Sequence, residues 1–137
     1  MTTAEINPAL IGIKVVTTYL PSHSRPEDDQ YTFAYTITIS NAADVAVQLL
    51  SRHWVITDAD NAVEEVRGDG VVGEQPVIEP GGSFRYTSGA NLPTPVGCME
   101  GEYTFIALHE GASASTELLA FEVPIPAFTL HTPTALN

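Results

Sequence analysis

Gly68, Gly70 and Gly73, in the stretch VRGDGVVGEQP at residues 66–76, carry a G-x-G-x-x-G spacing. Dinucleotide-binding folds set that spacing against a pyrophosphate. The chemistry needs a strand before the motif and a helix after it, because the helix N-terminus supplies partial positive charge. Here Pro76, Pro80 and Gly81 follow within ten residues of Gly73, and they exclude a helix. A dinucleotide fold is therefore rejected. A weaker chemistry survives, because a glycine turn can align backbone N–H groups into an anion nest with no helix at all. Arg67 adjoins the turn, and Arg52 and Arg85 belong to neighbouring predicted strands. The candidate site for phosphate, pyrophosphate or a nucleotide is thus Arg67, Gly68, Asp69, Gly70, Val71, Val72 and Gly73, with Arg52 and Arg85. Asp69 and Glu74 oppose it by repelling phosphate. The competing reading, which we prefer, is that the glycines supply positive φ and close backbone packing in a turn.

Other reactive residue types fall into weaker patterns. Arg52, His53 and Trp54 form the most polar-aromatic cluster. In a strand, Arg52 and Trp54 point one way and His53 the other, so one pocket holds all three only across a bulge. The expectation is a core tryptophan with His53 hydrogen-bonded or at the surface. His23, His53, His109 and His131 have no ligand spacing, and Asp58, Asp60, Glu64 and Glu65 lack the EF-hand pattern. No defined metal site and no cofactor are expected, only weak divalent-cation association with an acidic surface. Ser51 and Ser88 are the possible nucleophiles, but nothing places a base beside them. Cys98 lies in a glycine-bounded stretch expected as a loop, and no catalytic residue is assigned. The Arg67-Gly68-Asp69 tripeptide is read as chance rather than as an adhesion motif.

The elements that must position these residues are strands. Tyr31, Phe33, Tyr35, Ile37 and Ile39 alternate with Thr32, Ala34, Thr36 and Thr38, a period of two in residues that favour β structure. Ile11, Ile13, Val15, Thr17 and Tyr19 alternate likewise. The run VAVQLLSRHWVITDA reads as two segments meeting near Ser51 and Arg52 through a bend or bulge. Asp60-Asn61 marks a hairpin turn. Further strands are expected near 77–79, 83–88, 102–109 and 117–125, the last ending at Pro124 and Pro126 on a sheet edge. The fold class predicted is all-β: an antiparallel β-sandwich of seven to nine strands, of fibronectin-III or immunoglobulin type. Residues 10–130 form the domain, 1–9 are expected to be disordered, and 131–137 make a tail.

Charge and composition narrow the function classes. Seventeen carboxylates against five basic residues give a net charge of −12 over 137 residues. Such a body repels nucleic acid and anionic membranes and suits a basic partner. One cysteine excludes an intrachain disulfide and a thiolate zinc site. The N-terminus has no signal-peptide pattern, and no apolar run suits a membrane helix, so a cytoplasmic protein is expected.

Several blocks, in order, resemble the bacterial ApaG family: YTFAYTITISN, LLSRHWVITDADN, RGDGVVGEQP, PGGSFRYTSG, PVGCMEGEY and VPIPAFTL. The similarity runs from about Ile13 to Leu130. It matches the family at Gly68, Gly70 and Gly73, at Arg52-His53-Trp54, at Pro80-Gly81, Tyr86 and Ser88-Gly89, and at Met99, Gly101 and Tyr103. The stretch SHSRPEDDQ departs from the family's usual loop, and Cys98 replaces a small polar residue. The resemblance implies a fibronectin-III-like sandwich. It also implies a protein-binding role, since the domain recurs in larger eukaryotic proteins, and an association with cobalt and magnesium homeostasis. The family's glycine motif has been proposed as a pyrophosphate site. The expected function is a non-enzymatic module for protein–protein interaction, with nucleotide or pyrophosphate sensing at Gly68–Gly73 as the alternative. A homodimer through an edge strand is compatible with either.

Overall fold

Alternation along the chain decides which residues go inside. The computed structural model describes residues 6–108 and 120–134. In β2 (Tyr31–Asn41), Phe33, Tyr35, Ile37 and Ile39 are buried while the threonines between them face outward. β2 lies between β1 (Ile11–Tyr19) and β6 (Ser83–Leu92), antiparallel to both, and makes the first sheet. The second sheet runs β4 (Val63–Asp69), β3 (Ala46–Asp58), β7 (Val96–Leu108) and β8 (Ala120–His131). The short β5 (Val77–Ile78) pairs with the start of β3. No described residue is in an α-helix. The fold is therefore the predicted antiparallel sandwich, with eight strands among the described residues.

The inner faces meet over an apolar core that contains an aromatic cluster. Trp54 is ringed by Tyr35, Tyr103 and Phe128 at centroid distances of 5.5, 6.3 and 5.8 Å, all edge-on or close to it. Edge-on rings set the positive rim of one against the negative face of the next. Two polar devices sit inside. Tyr86 and Tyr103 share a short hydrogen bond between their hydroxyls. Burial pushes both phenols well above the usual tyrosine value. Asn41 donates to the carbonyls of Val45 and Ile78 and accepts from the Ala43 N–H, tying the end of β2 to β5.

Several boundaries differ from the sequence expectations. β3 is one thirteen-residue strand, but its register against β7 shifts between Leu49 and Ser51, so the expected bulge is present without a break. The predicted hairpin forms at Asp58–Ala62, with Asn61 at φ 65 and the Asp58 carboxylate accepting from the N–H groups of Asp60 and Ala62. β7 begins at Val96, so Cys98 lies in a strand and not in a loop. β8 does not end at its prolines but runs on to His131. It can do so because it is the outermost strand, where a missing N–H is harmless, and because Pro126 falls where the register against β7 shifts. His109 and the start of the strand expected at 117–125 lie outside the described residues. At the N-terminus, Pro8–Leu10 make a single 3-10 turn capped by Asn7.

Candidate functional site

The bulge in β3 builds the site. It leaves the Leu50 carbonyl without a ladder partner in register. The glycine loop supplies one: the Gly70 N–H donates to it at 2.8 Å, and the Gln75 side-chain amide donates at 2.9 Å. The loop thereby carries the chain from β4, paired with the second half of β3, to β5, paired with the first. Val71 to Glu74 close a tight turn, with Val71 N–H to Glu74 O at 2.8 Å and the reverse bond at 2.9 Å. Val72 and Gly73 occupy its two central positions at φ 43 and 81, the left-handed geometry of a two-residue hairpin turn. Gly70 sits at φ 62, and a Cβ there would fall on the Glu74 carbonyl oxygen.

Most of the N–H groups that an anion nest would offer are therefore already bonded to carbonyls. Those of Gly70, Val71 and Glu74 are in use, and those of Val72 and Gly73 at the tip are not. The three arginines of the predicted site are not brought together. Arg85 is exposed beside inward-facing Tyr86 on β6, on the outer face of the first sheet. Arg67 lies on the outer face of the second sheet, opposite His53 in register and 3.6 Å from Glu65. Only Arg52 reaches the loop. Its guanidinium lies across Gly68, where a Cβ would come within 2.9 Å of both terminal nitrogens. One of those nitrogens, Nη1, donates to the carbonyls of Asp69 and Gly70 at 3.0 and 2.8 Å.

Arg52 and Trp54 share the inward face of β3, and His53 points to the other side, as strand alternation requires. There His53 bridges two carboxylates, Glu65 at 2.8 Å and Glu102 at 3.0 Å. The hydrogen bond that His53 donates to Glu65, then that to Glu102, raises the imidazole above its ordinary value, and His53 in turn lowers Glu65. This is an outer-face ion-pair cluster, separated by the sheet from Arg52. Among the described residues, no three histidine, cysteine or acidic side chains converge as a metal-ligand set. Ser51 pairs with Asp69 and Thr104 in the ladders. Burial first, and the Glu100 charge second, push the Cys98 thiol up, away from the reactive thiolate.

The sandwich is closed along one side, where β1 approaches β8. Along the other, β4 and β6 stand apart and leave a cleft. It consists of two hollows of about 380 Å³ each, sharing Tyr35, Arg52, Trp54 and Ser88. Glu64 stands at one end and the Gly73 turn at the other. Tyr35, expected on the inner face of its strand, and Ser88, considered only as a nucleophile, belong to ordinary alternating strands, and only their register, Tyr35 against Ser88, puts them here. Burial raises the Tyr35 phenol, so it stays a neutral hydroxyl at physiological pH.

An open-sided β-sandwich with a glycine loop locked into a strand bulge is the class of protein these features define. Residues 21–107 match the family model for the ApaG domain. The chain is 54% identical to Protein ApaG of Thiobacillus denitrificans over 93% of its length and 94% of that protein. It is 47% identical to the Dechloromonas aromatica protein of the same name over 98% and 99%. The crystal structure of a Bordetella pertussis protein named ApaA superposes with a TM-score of 0.81 at 44% identity, covering 91% of this chain and 95% of that one. The chain belongs to the ApaG family.

Proposed function

We propose that this protein is a non-catalytic docking module that takes an extended, basic segment of a partner polypeptide along the free edge of β6. The observation that carries this reading is the unequal protection of the sheet edges. Natural sheets guard edges with charges, prolines or covering segments. β4 has Glu64, Glu65, Arg67 and Asp69 within seven residues. β8 has Pro124 and Pro126, and β1 leans on β8. β6 offers ten residues with one charged side chain, Arg85, and no proline. A strand added there makes main-chain hydrogen bonds for affinity and sends alternate side chains toward the cleft. The net charge of −12 selects a basic partner and steers its approach.

The separation of Ser88 from His53 supports the non-catalytic part of the reading. Ser88 lies in the cleft, whereas His53 is on the far face of the other sheet. The link to cobalt and magnesium homeostasis would then run through the partner. Phosphate or nucleotide sensing by the glycine loop has less support: two unbonded N–H groups at its tip, with Asp69 and Glu74 beside them.

The test is selection of displayed random peptides on the immobilised protein, followed by amide NMR of the complex. Basic, β-branched peptides that shift the amides of residues 83–92 and slow their exchange are expected. Peptides that bind without regard to charge, or that perturb β4 or β8 and leave β6 unchanged, would sink the reading.

A further inference from the structure

The cleft between β4 and β6 holds the Arg52 guanidinium, part of which takes no acceptor among the described residues. Arg52 spends Nη1 on the carbonyls of Asp69 and Gly70. Its Nε and Nη2 take no acceptor among the described residues, and no described carboxylate pairs with it. The Nε–Nη2 edge is one that a carboxylate can grip with two parallel hydrogen bonds. Trp54, 2% exposed, also lines both hollows, and its indole Nε1–H is buried with no acceptor among the described residues. Buried donors nearly always find partners. The Tyr35 and Ser88 side chains complete the shared part of the cleft.

We infer that this cleft is a binding site for a small organic carboxylate with a flat apolar body. The charge-assisted fork of Arg52 takes the acid group, and Tyr35, Trp54 and Val66, which line the same hollow, receive the body. The preference is for a monoanion. Glu64 lines one hollow and Asp69 the other, so each added negative charge on a ligand meets repulsion in a protein already at −12. The Arg52 fork is also held in advance. Gly68 gives the guanidinium room and two loop carbonyls pin it, so little side-chain entropy is lost on binding.

This inference does not depend on the β6 docking reading, and its test uses no peptide. Trp54 is the only tryptophan, so the indole N–H cross-peak in a ¹⁵N–¹H spectrum is unambiguous. The full chain is titrated with sodium benzoate, with benzamide as the uncharged isostere, and with inorganic phosphate. Benzoate is expected to shift the indole peak saturably, with benzamide at least ~10-fold weaker, the scale of one charge-assisted contact. Ser88→Phe, which fills the shared part of the cleft and leaves Arg52 on the loop, should abolish the shift. Arg52→Lys should weaken binding and Arg52→Gln remove it, with circular dichroism confirming the fold. The inference is overturned if benzoate leaves the indole peak unmoved at millimolar concentration. It is equally overturned if benzamide binds as well as benzoate, if phosphate binds better, or if the shift persists in folded Ser88→Phe.

Discussion

Replacing Gly70 by alanine should destabilise the protein far more than the same change at Gly73, although both glycines belong to one motif and both have positive φ. The two sites share a conformational penalty. An L-residue in the left-handed region costs about 1–2 kcal/mol. At Gly73, φ is 81 and nothing lies within 4 Å of the position a Cβ would take, so the cost ends there. At Gly70 the Cβ would clash with the Glu74 carbonyl oxygen. That oxygen accepts the Val71 N–H, and the Gly70 N–H is bound to Leu50 at the β3 bulge. Moving either segment breaks a hydrogen bond worth about 1 kcal/mol and strains the turn by a further 1–3 kcal/mol. The expected loss is about 3–6 kcal/mol for Gly70→Ala and about 1–2 kcal/mol for Gly73→Ala. At about 3 °C per kcal/mol for a chain of this size, that is a Tm drop of roughly 9–18 °C against roughly 3–6 °C. Urea denaturation at fixed pH measures both. Equal losses at the two positions would refute the argument that bulge packing, and not glycine's flexibility alone, requires Gly70.

Three further outcomes follow from the geometry. The His53 cluster makes stability depend on pH: the raised imidazole contributes fully below its unfolded value of 6.5, and that contribution is lost as pH rises through its folded value. Glu65, lowered from 4.5, contributes above that value and loses its contribution as pH falls through its folded value. The urea midpoint of wild type minus that of His53→Gln should therefore shrink on both sides of the weakly acidic range, and a difference independent of pH would contradict the cluster. Tyr103→Phe should cost about 1–3 kcal/mol by orphaning the buried Tyr86 hydroxyl; Tyr86→Phe with Tyr103→Phe should recover part of that loss, which additive effects would disprove. Asn41→Ala strips the partners from two carbonyls and one N–H at a buried site, and thermal unfolding should show a loss of about 2–4 kcal/mol; a change within 0.5 kcal/mol, the scale of ordinary surface substitutions, would mean that solvent replaces those bonds.

Much of this fold is local, and so it was legible residue by residue. Phe33, Tyr35, Ile37 and Ile39 announce a half-buried strand because side chains alternate with a period of two whatever the strand later pairs with. Asp60-Asn61 announces its turn because Asn tolerates positive φ and Asp58 can cap it. The same alternation separates His53 from Arg52 and Trp54 without any structure. The prolines after Gly73 exclude a nucleotide-binding helix by covalent geometry.

Pairing is not local, and the site depends on it. Whether Arg52 meets Gly68 rests on β3 facing β4 in one register; a slip of one residue would turn Arg52 outward and His53 inward. Arg67 adjoins the loop in the chain and Arg85 belongs to a strand expected beside it, yet each lies on an outer sheet face, because inside positions are filled by Val66 and Tyr86. β8 continues through two prolines because it ended up outermost and because Pro126 falls at a register shift. The sequence by itself determined the strand class, the turn positions and the strongly acidic surface, since these follow from side-chain period, φ preference and charge count. The tertiary structure alone decided that β1 meets β8 while β4 and β6 stay apart, and so decided that Tyr35, Arg52, Trp54 and Ser88 share one cleft. Those four residues come from three strands, and only long-range strand pairing and the packing of two sheets bring them together.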